Sequence, residues 1–114
     1  MPYFSNQFLP FKPYFRRLNK YCNIKGIRLI TVNTPKLPAY EAMVPECYKF
    51  ALMEIVEEME TRDDKFYYLD YTGMGLSSEY LRDADHLNYE GAKLFSEIFY
   101  KKMQTIIQGE HYDN

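Results

Sequence analysis

Apolar residues recur with a helical period in three segments of the chain, and two short strand-like runs separate these segments. The first helix is predicted from Pro13 to the glycine at Gly26, and its apolar face comprises Tyr14, Phe15, Leu18, Tyr21 and Cys22. Further helices are predicted over about residues 46–61 and 88–108, where apolar side chains again fall on one face. The pattern therefore predicts three amphipathic helices.

The strand-like runs are IRLITVN at residues 27–33 and KFYYLDY at residues 65–71. The first has little polar alternation, which is typical of a strand buried on both faces of a parallel sheet. Residues 34–45 contain three prolines and residues 72–87 lack a period, so both are predicted to be loops. Residues 1–12 are predicted to be an irregular N-terminal arm, and residues 109–114 a polar tail.

The order helix, strand, helix, strand, helix predicts an α/β fold with parallel strands, arranged as part of a three-layer α/β/α sandwich. Two strands are too few to cover three amphipathic helices, since sheets usually have about 4–6 strands. Residues 13–108 are therefore expected to form half of a doubly wound domain. We expect its open sheet edges to be covered by a missing N-terminal half, by self-association or by a partner chain.

Composition excludes several classes of partner. The 114-residue chain has a formal net charge of −2 and no basic stripe, so no nucleic-acid partner is expected. No apolar run approaches the ~18 residues that span a membrane, and the N-terminus lacks the pattern of a signal peptide. The expected location is cytoplasmic as the sequence is written, or the envelope or periplasm if a targeting segment is missing. No cofactor is expected.

Candidate functional residues follow the two predicted strands. Ligands of open α/β sheets bind at the carboxyl ends of the strands. Asn33 and Thr34 end the first strand and Asp70 lies near the end of the second, so these residues are predicted to form the rim of a site. The loop before the last helix, which includes LRDADHLNYEGA at residues 81–92, belongs to the same edge.

In that stretch, Asp83 stands three residues before His86. A carboxylate bonded to the Nδ1–H of a histidine orients the ring and leaves Nε2 free as a general base. Asn88 is predicted to cap the last helix, and Gly91 to let its first turn approach neighbouring backbone.

Two other interpretations of this loop stay open. Asp83 and Asp85 could be solvated turn residues, with His86 merely packing beside the helix cap. Asp83, Asp85, His86 and Glu90 could instead hold a metal, but the loop lacks a second histidine or a cysteine at ligand spacing, so no metal is predicted.

The segment DADHLNYEGAKLFSEIF resembles the C-terminal signature of the SGNH (GDSL-type) hydrolase superfamily. GIRLITVNTPKLPAY resembles the penultimate strand and following loop of that fold, particularly in branches related to cell-envelope acyl-transfer proteins. The resemblance covers about residues 13–108 and implies a flavodoxin-like SGNH type of sandwich. It also implies Asp83 as the orienting aspartate, His86 as the general base, and Asn88 and Gly91 as helix-start positions. The implied substrate is an acyl ester or an acylated carbohydrate.

The chain departs from that superfamily at the nucleophile. No Gly-Asp-Ser-like turn follows a first strand: Ser5 lacks this context, and Ser96 lies within the last predicted helix. Ser77 and Ser78 could approach His86, but they come from the wrong part of the fold. The resemblance thus implies the C-terminal portion of a serine ester hydrolase or O-acyl transferase that is inactive alone. The alternative is a non-catalytic α/β module that self-associates or pairs with a partner chain.

Overall fold

In the computed structural model, the backbone is described for residues 11–113 and the side chains for residues 11–109. Three long helices and two strands form the body of the molecule. Shorter elements lie in the connection before the second long helix and in the connection before the last helix. In chain order the elements are α1 (Phe11–Lys25), β1 (Leu29–Asn33), α2 (Pro38–Met43), α3 (Glu46–Arg62), β2 (Phe66–Asp70), a 3-10 turn (Ser78–Tyr80), β3 (Leu81–Asp83), β4 (His86–Leu87) and α4 (Tyr89–Asp113).

Several boundaries differ from those expected from the sequence. Residues 1–10 of the predicted arm lie outside the described residues, and residues 11 and 12 belong to α1. The predicted loop over residues 34–45 contains α2, and the predicted loop over residues 72–87 contains the 3-10 turn and a small β-hairpin. The last helix runs to Asp113, so residues 109–113 of the predicted tail are helical. Within residues 11–113, no helix has both the length and the apolarity to cross a membrane.

The main sheet consists of β1 and β2, which pair in parallel from Leu29 opposite Phe66 to Asn33 opposite Asp70. The predicted α/β class with parallel strands is confirmed, whereas the complete three-layer sandwich stays a prediction. Within the described chain, β1 has a strand neighbour only on its β2 side. All five of its residues are half-buried, so the expected burial on both faces is wrong for these residues. The reason is the narrow sheet, which leaves one edge of β1 uncovered.

The core lies between α3 and the sheet. Ile55, Val56 and Met59 of α3 pack with Phe66 of β2, and these four side chains are at least 95% buried. Around them lie the partly buried side chains of Phe15, Leu29, Leu52 and Tyr68. The ring of Phe15 meets that of Phe66 edge-on, with centroids 6.0 Å apart. This contact attaches α1 to the same core.

Ion pairs also join α1 to α3. Arg16 donates two hydrogen bonds to the Glu58 carboxylate, at 2.7 and 3.0 Å, and the Lys12 ammonium lies 2.8 Å from Glu54. Glu54 and Glu58 of α3 therefore face α1. The bond from Arg16 lowers the pKa of Glu58, against the opposing effect of burial. The contribution of this carboxylate to stability is therefore lost as pH falls through its lowered pKa.

A buried polar pair holds the middle of α1. Asn19 Nδ2 donates to Asp63 Oδ2 at 3.1 Å, and both residues are only 3% exposed. Asp63 ends α3, and its other carboxylate oxygen accepts the backbone N–H of Lys65 at 2.9 Å. The pair therefore ties α1 to the turn that leads into β2.

Replacing Asn19 by alanine should lower the free energy of unfolding by about 1–3 kcal/mol, because the buried carboxylate of Asp63 loses a donor. The matched control is Asn23→Ala, an exposed asparagine one turn later in the same helix, with an expected change within about 0.5 kcal/mol. Urea unfolding followed by circular dichroism measures both. Equal effects of the two substitutions would contradict the assigned role of Asn19.

Candidate functional site

The Asp83 and His86 side chains stand on a hairpin in which β3 pairs antiparallel with β4. The hairpin turn is held against the segment that follows β1, because Leu37 N donates to the Ala84 carbonyl at 2.9 Å. The Lys36 ammonium adds bonds to Thr34 Oγ1 at 3.0 Å and to the Asp85 carbonyl at 3.5 Å. The hairpin therefore lies beside the carboxyl end of β1.

The predicted rim residues lie at this edge, and their polar groups already have partners. Asn33 and Asp70 are opposite each other at the ends of the two parallel strands, and Asn33 Nδ2 donates to the Tyr68 hydroxyl at 3.3 Å. Asp70 Oδ1 accepts both the backbone N–H and the hydroxyl of Thr72, at 2.9 and 2.6 Å. Thr34 Oγ1 accepts from Lys36. Contact of these three residues with a substrate stays a prediction.

His86 Nδ1 lies 2.8 Å from Asp83 Oδ1, the spacing of a hydrogen bond. The bond from His86 is the main cause of a lowered pKa of the Asp83 carboxyl. Among the described residues, nothing hydrogen-bonds to the opposite ring nitrogen, Nε2. The imidazole is thus held on its Nδ1 side and open on the side where a general base would act.

A second carboxylate reaches the same nitrogen. Asp85 Oδ1 lies 2.9 Å from His86 Nδ1, and the Asp85 backbone N–H donates to Asp83 Oδ1 at 3.1 Å. The sequence does not predict a contact of Asp85 with the ring, because the spacing of neighbouring residues does not reveal which way a turn directs their side chains. The His86 and Asp83 side chains are 57% and 50% exposed, so water screens these attractions.

Asn88 joins the hairpin to α4 and to the 3-10 turn. Its Oδ1 accepts the Gly91 N–H at 2.8 Å, which is the bond of a helix N-cap. Its Nδ2 donates to the Glu79 carbonyl at 2.6 Å, and its backbone N–H donates to the Tyr80 carbonyl at 3.0 Å. The residue directly after the hairpin is therefore fixed from three directions.

Gly91 lies where α4 passes the backbone of Tyr80. A Cβ atom at this position would collide with the Tyr80 carbonyl oxygen and would lie 3.2 Å from Leu87 Cδ2. Since this backbone carbonyl is part of the Asn88 contact, it cannot move aside without breaking that bond. A residue without a side chain is required for the helix start to sit against the 3-10 turn.

Neither loop serine bonds to the histidine. Ser77 Oγ accepts the Glu79 N–H at a long 3.5 Å, and Ser78 begins the 3-10 turn. Among residues 11–109, no serine hydroxyl hydrogen-bonds to His86, and Ser5 lies outside the described residues. In the described part of the chain, His86 therefore has no serine hydroxyl as a hydrogen-bond partner.

The metal interpretation has a geometric basis as well. Potential ligand atoms of Asp83, Asp85 and His86 all lie within 4.8 Å of one another, while Glu90 is not part of this group. Exposed acidic groups are commonly this close without an ion. The proximity alone identifies no metal centre.

Comparison with known proteins gives one match. A family model matches residues 5–108, nearly the whole chain, and it describes an uncharacterised family. No curated protein and no solved structure matches the chain.

Replacing Gly91 by alanine should destabilise the protein by about 1–3 kcal/mol or more, because the new methyl group overlaps the Tyr80 carbonyl. Gly109→Ala is the matched control in the same helix, where nothing lies within 4 Å of an added Cβ. That substitution should stabilise α4 by about 0.5–1 kcal/mol, since alanine is the better helix former. Thermal and urea unfolding measure both variants. A neutral Gly91→Ala substitution would contradict the close approach.

Proposed function

Because this chain belongs to an uncharacterised family, we propose its function from the geometry of the site: Asp83 and His86 are the acid–base pair of a serine ester hydrolase or O-acyl transferase. The observation that carries the proposal is the 2.8 Å separation of His86 Nδ1 and Asp83 Oδ1, with Nε2 open. The position of the pair beside the carboxyl end of β1 supports it, since this edge is where open α/β sheets bind ligands.

In the proposed reaction, His86 Nε2 takes the proton from a serine hydroxyl as the serine oxygen attacks the acyl carbonyl. The same nitrogen returns this proton to the leaving alcohol, which separates as the acyl-serine forms. Water or an acceptor alcohol then releases the acyl group by the reverse sequence of proton transfers. Asp83 orients the ring throughout, and Asp85 adds a second negative charge beside the imidazolium.

The serine is proposed to lie outside residues 1–114, because this sequence has no Gly-Asp-Ser-like turn after a strand. The open edge of β1 supports this proposal, since a further strand could pair there. Helix contacts support the complete three-layer sandwich: Phe15 of α1 meets Phe66, whereas Phe95 of α4 meets Tyr71 five residues later. Tyr71 directly follows β2, and its backbone N–H still donates to the Asn33 carbonyl. The alternation of side-chain directions along an extended segment therefore puts Phe66 and Tyr71 on opposite faces. The proposed substrates are acyl esters or acylated carbohydrates.

The test begins with the coding sequence upstream of Met1. The proposal expects a Gly-Asp-Ser-like turn encoded there, in frame or one frameshift away. The joined polypeptide should react with a serine-directed fluorophosphonate, and His86→Ala should lower the labelling rate by at least about 10²-fold. His111→Ala, which removes the only other histidine, is the control and should leave labelling unchanged.

Labelling that survives His86→Ala would overturn the assigned role of His86. An upstream sequence without the expected turn would overturn the serine-triad form of the proposal.

A second candidate function is a non-catalytic module that associates with a second copy of itself. The specific observation is a stripe of exposed apolar side chains along α1, on the opposite side from the ion pairs with α3. Tyr14, Leu18 and Tyr21 are 65%, 48% and 57% exposed. Large exposed apolar patches mark interaction surfaces, and the open edge of β1 is a template for strand pairing.

If this candidate is correct, the wild-type chain should be a dimer by light scattering, at twice its 13.7 kDa mass. Leu18→Glu should shift it to monomer, because the charge would be buried in the interface. Tyr100→Glu introduces the same charge at an exposed position of α4 and should leave the dimer intact. A monomeric wild-type chain at about 100 µM, a hundred times the ~1 µM of a moderate dissociation constant, would exclude this candidate.

A further inference from the structure

A pocket opens between the N-terminal ends of α1 and α3, at the same edge of the sheet as the hairpin. Its cavity volume is about 410 Å³, within the ~300–1,000 Å³ of small-molecule sites. Most of its wall is apolar or aromatic, formed by Phe11, Tyr40, Val44, Tyr48 and Leu52. The composition suits a ligand with an apolar body.

The apolar wall continues beyond the pocket. A second depression of similar volume shares Tyr40, Val44 and Tyr48 with the first, and extends to Met43 and Pro45. The side chain of Met43 is 82% exposed there. Because they share these three residues, the two depressions are adjacent, and we call them together the apolar groove. Their combined apolar lining offers room for a chain-like ligand.

The polar groups of the pocket differ in whether their charge is balanced. The Lys49 ammonium lies 3.7 Å from a carboxylate oxygen of Glu41, so these two charges compensate each other. The Lys36 ammonium bonds only to neutral oxygens, Thr34 Oγ1 and the Asp85 carbonyl. Within residues 11–109, no carboxylate lies at ion-pair distance from Lys36. Lys36, which lines the first depression but not the second, is therefore an uncompensated, half-buried cation in the wall of the groove.

We propose that this groove binds the acyl group of the substrate: an aliphatic or aryl chain lies along Tyr40, Val44 and Tyr48, and its carboxyl end meets Lys36. The carboxyl end is an ester carbonyl before reaction and a carboxylate after hydrolysis, and either oxygen accepts a hydrogen bond from the ammonium. Lys36 also touches the backbone of the turn that carries Asp85, which places the carboxyl end of the ligand beside the hairpin of His86.

This inference deepens the proposed function and rests on it for turnover, whereas binding of the chain can be measured separately. Binding requires neither the serine nor His86. A failure to bind would remove the assignment of the groove, and the fluorophosphonate experiment would still decide the role of His86.

The experiment is calorimetric titration of the full chain with octanoate, compared with octan-1-ol, which lacks the charge, and acetate, which lacks the chain. Octanoate should bind saturably, and the other two compounds at least about tenfold more weakly. Lys36→Met should weaken octanoate binding by about tenfold, the usual effect of losing a hydrogen bond from a charged group. The double variant Glu41→Gln/Lys49→Met removes the compensated pair of the same pocket together and leaves no unpaired carboxylate there, so it should weaken octanoate binding less than about threefold.

Circular dichroism establishes that each variant is folded before titration. Three results would overturn the proposal: no saturable binding of octanoate to the folded chain, acetate binding as tightly as octanoate, or an effect of the Glu41→Gln/Lys49→Met double variant equal to or larger than that of Lys36→Met. A Tyr40→Ala variant adds an independent measure of the chain contact. It should weaken octanoate binding and leave the weak binding of acetate unchanged.

Discussion

The parallel pairing of β1 with β2 fixes the position of the candidate site. Its register sets Asn33 opposite Asp70, so both strands end at the same level. The segment after β1 can then contact the hairpin after β2, and this contact includes the hydrogen bond from Leu37 N to the Ala84 carbonyl. Backbone groups near the ends of two strands thereby position side chains that are about fifty residues apart in sequence.

The sequence predicts the periodic elements well because their signals are local. The helical spacing of apolar residues reflects the buried face of a single helix, and the β-branched run at residues 29–33 reflects a single strand. Asn88 and Gly91 were also predictable in kind, since a cap and a close approach have characteristic residues. The hairpin was missed because β3 and β4 span only three and two residues, too short for a period.

Contacts between distant elements could not be read from the sequence. The bonds from Arg16 to Glu58 and from Asn19 to Asp63 depend on how α1 lies against α3. The uncompensated charge of Lys36 is equally invisible, because it depends on the absence of a carboxylate near its ammonium among the described residues. The contact of Asp85 with the His86 ring could not be predicted either, although the two residues are adjacent. The sequence position of Asp85 fits a solvated turn residue as well as a partner of the imidazole.

Because the hairpin is attached to the first turn of α4, a movement of this long helix would also move the hairpin. α4 has 25 residues, which at ~1.5 Å per residue gives a length of about 37 Å. Asn88 and Gly91 join its first turn rigidly to the backbone next to His86. A small tilt of the far end of α4 would therefore rotate the imidazole relative to the carboxyl ends of β1 and β2. A contact on the distal turns of α4 could therefore change the orientation of the His86 side chain without touching it.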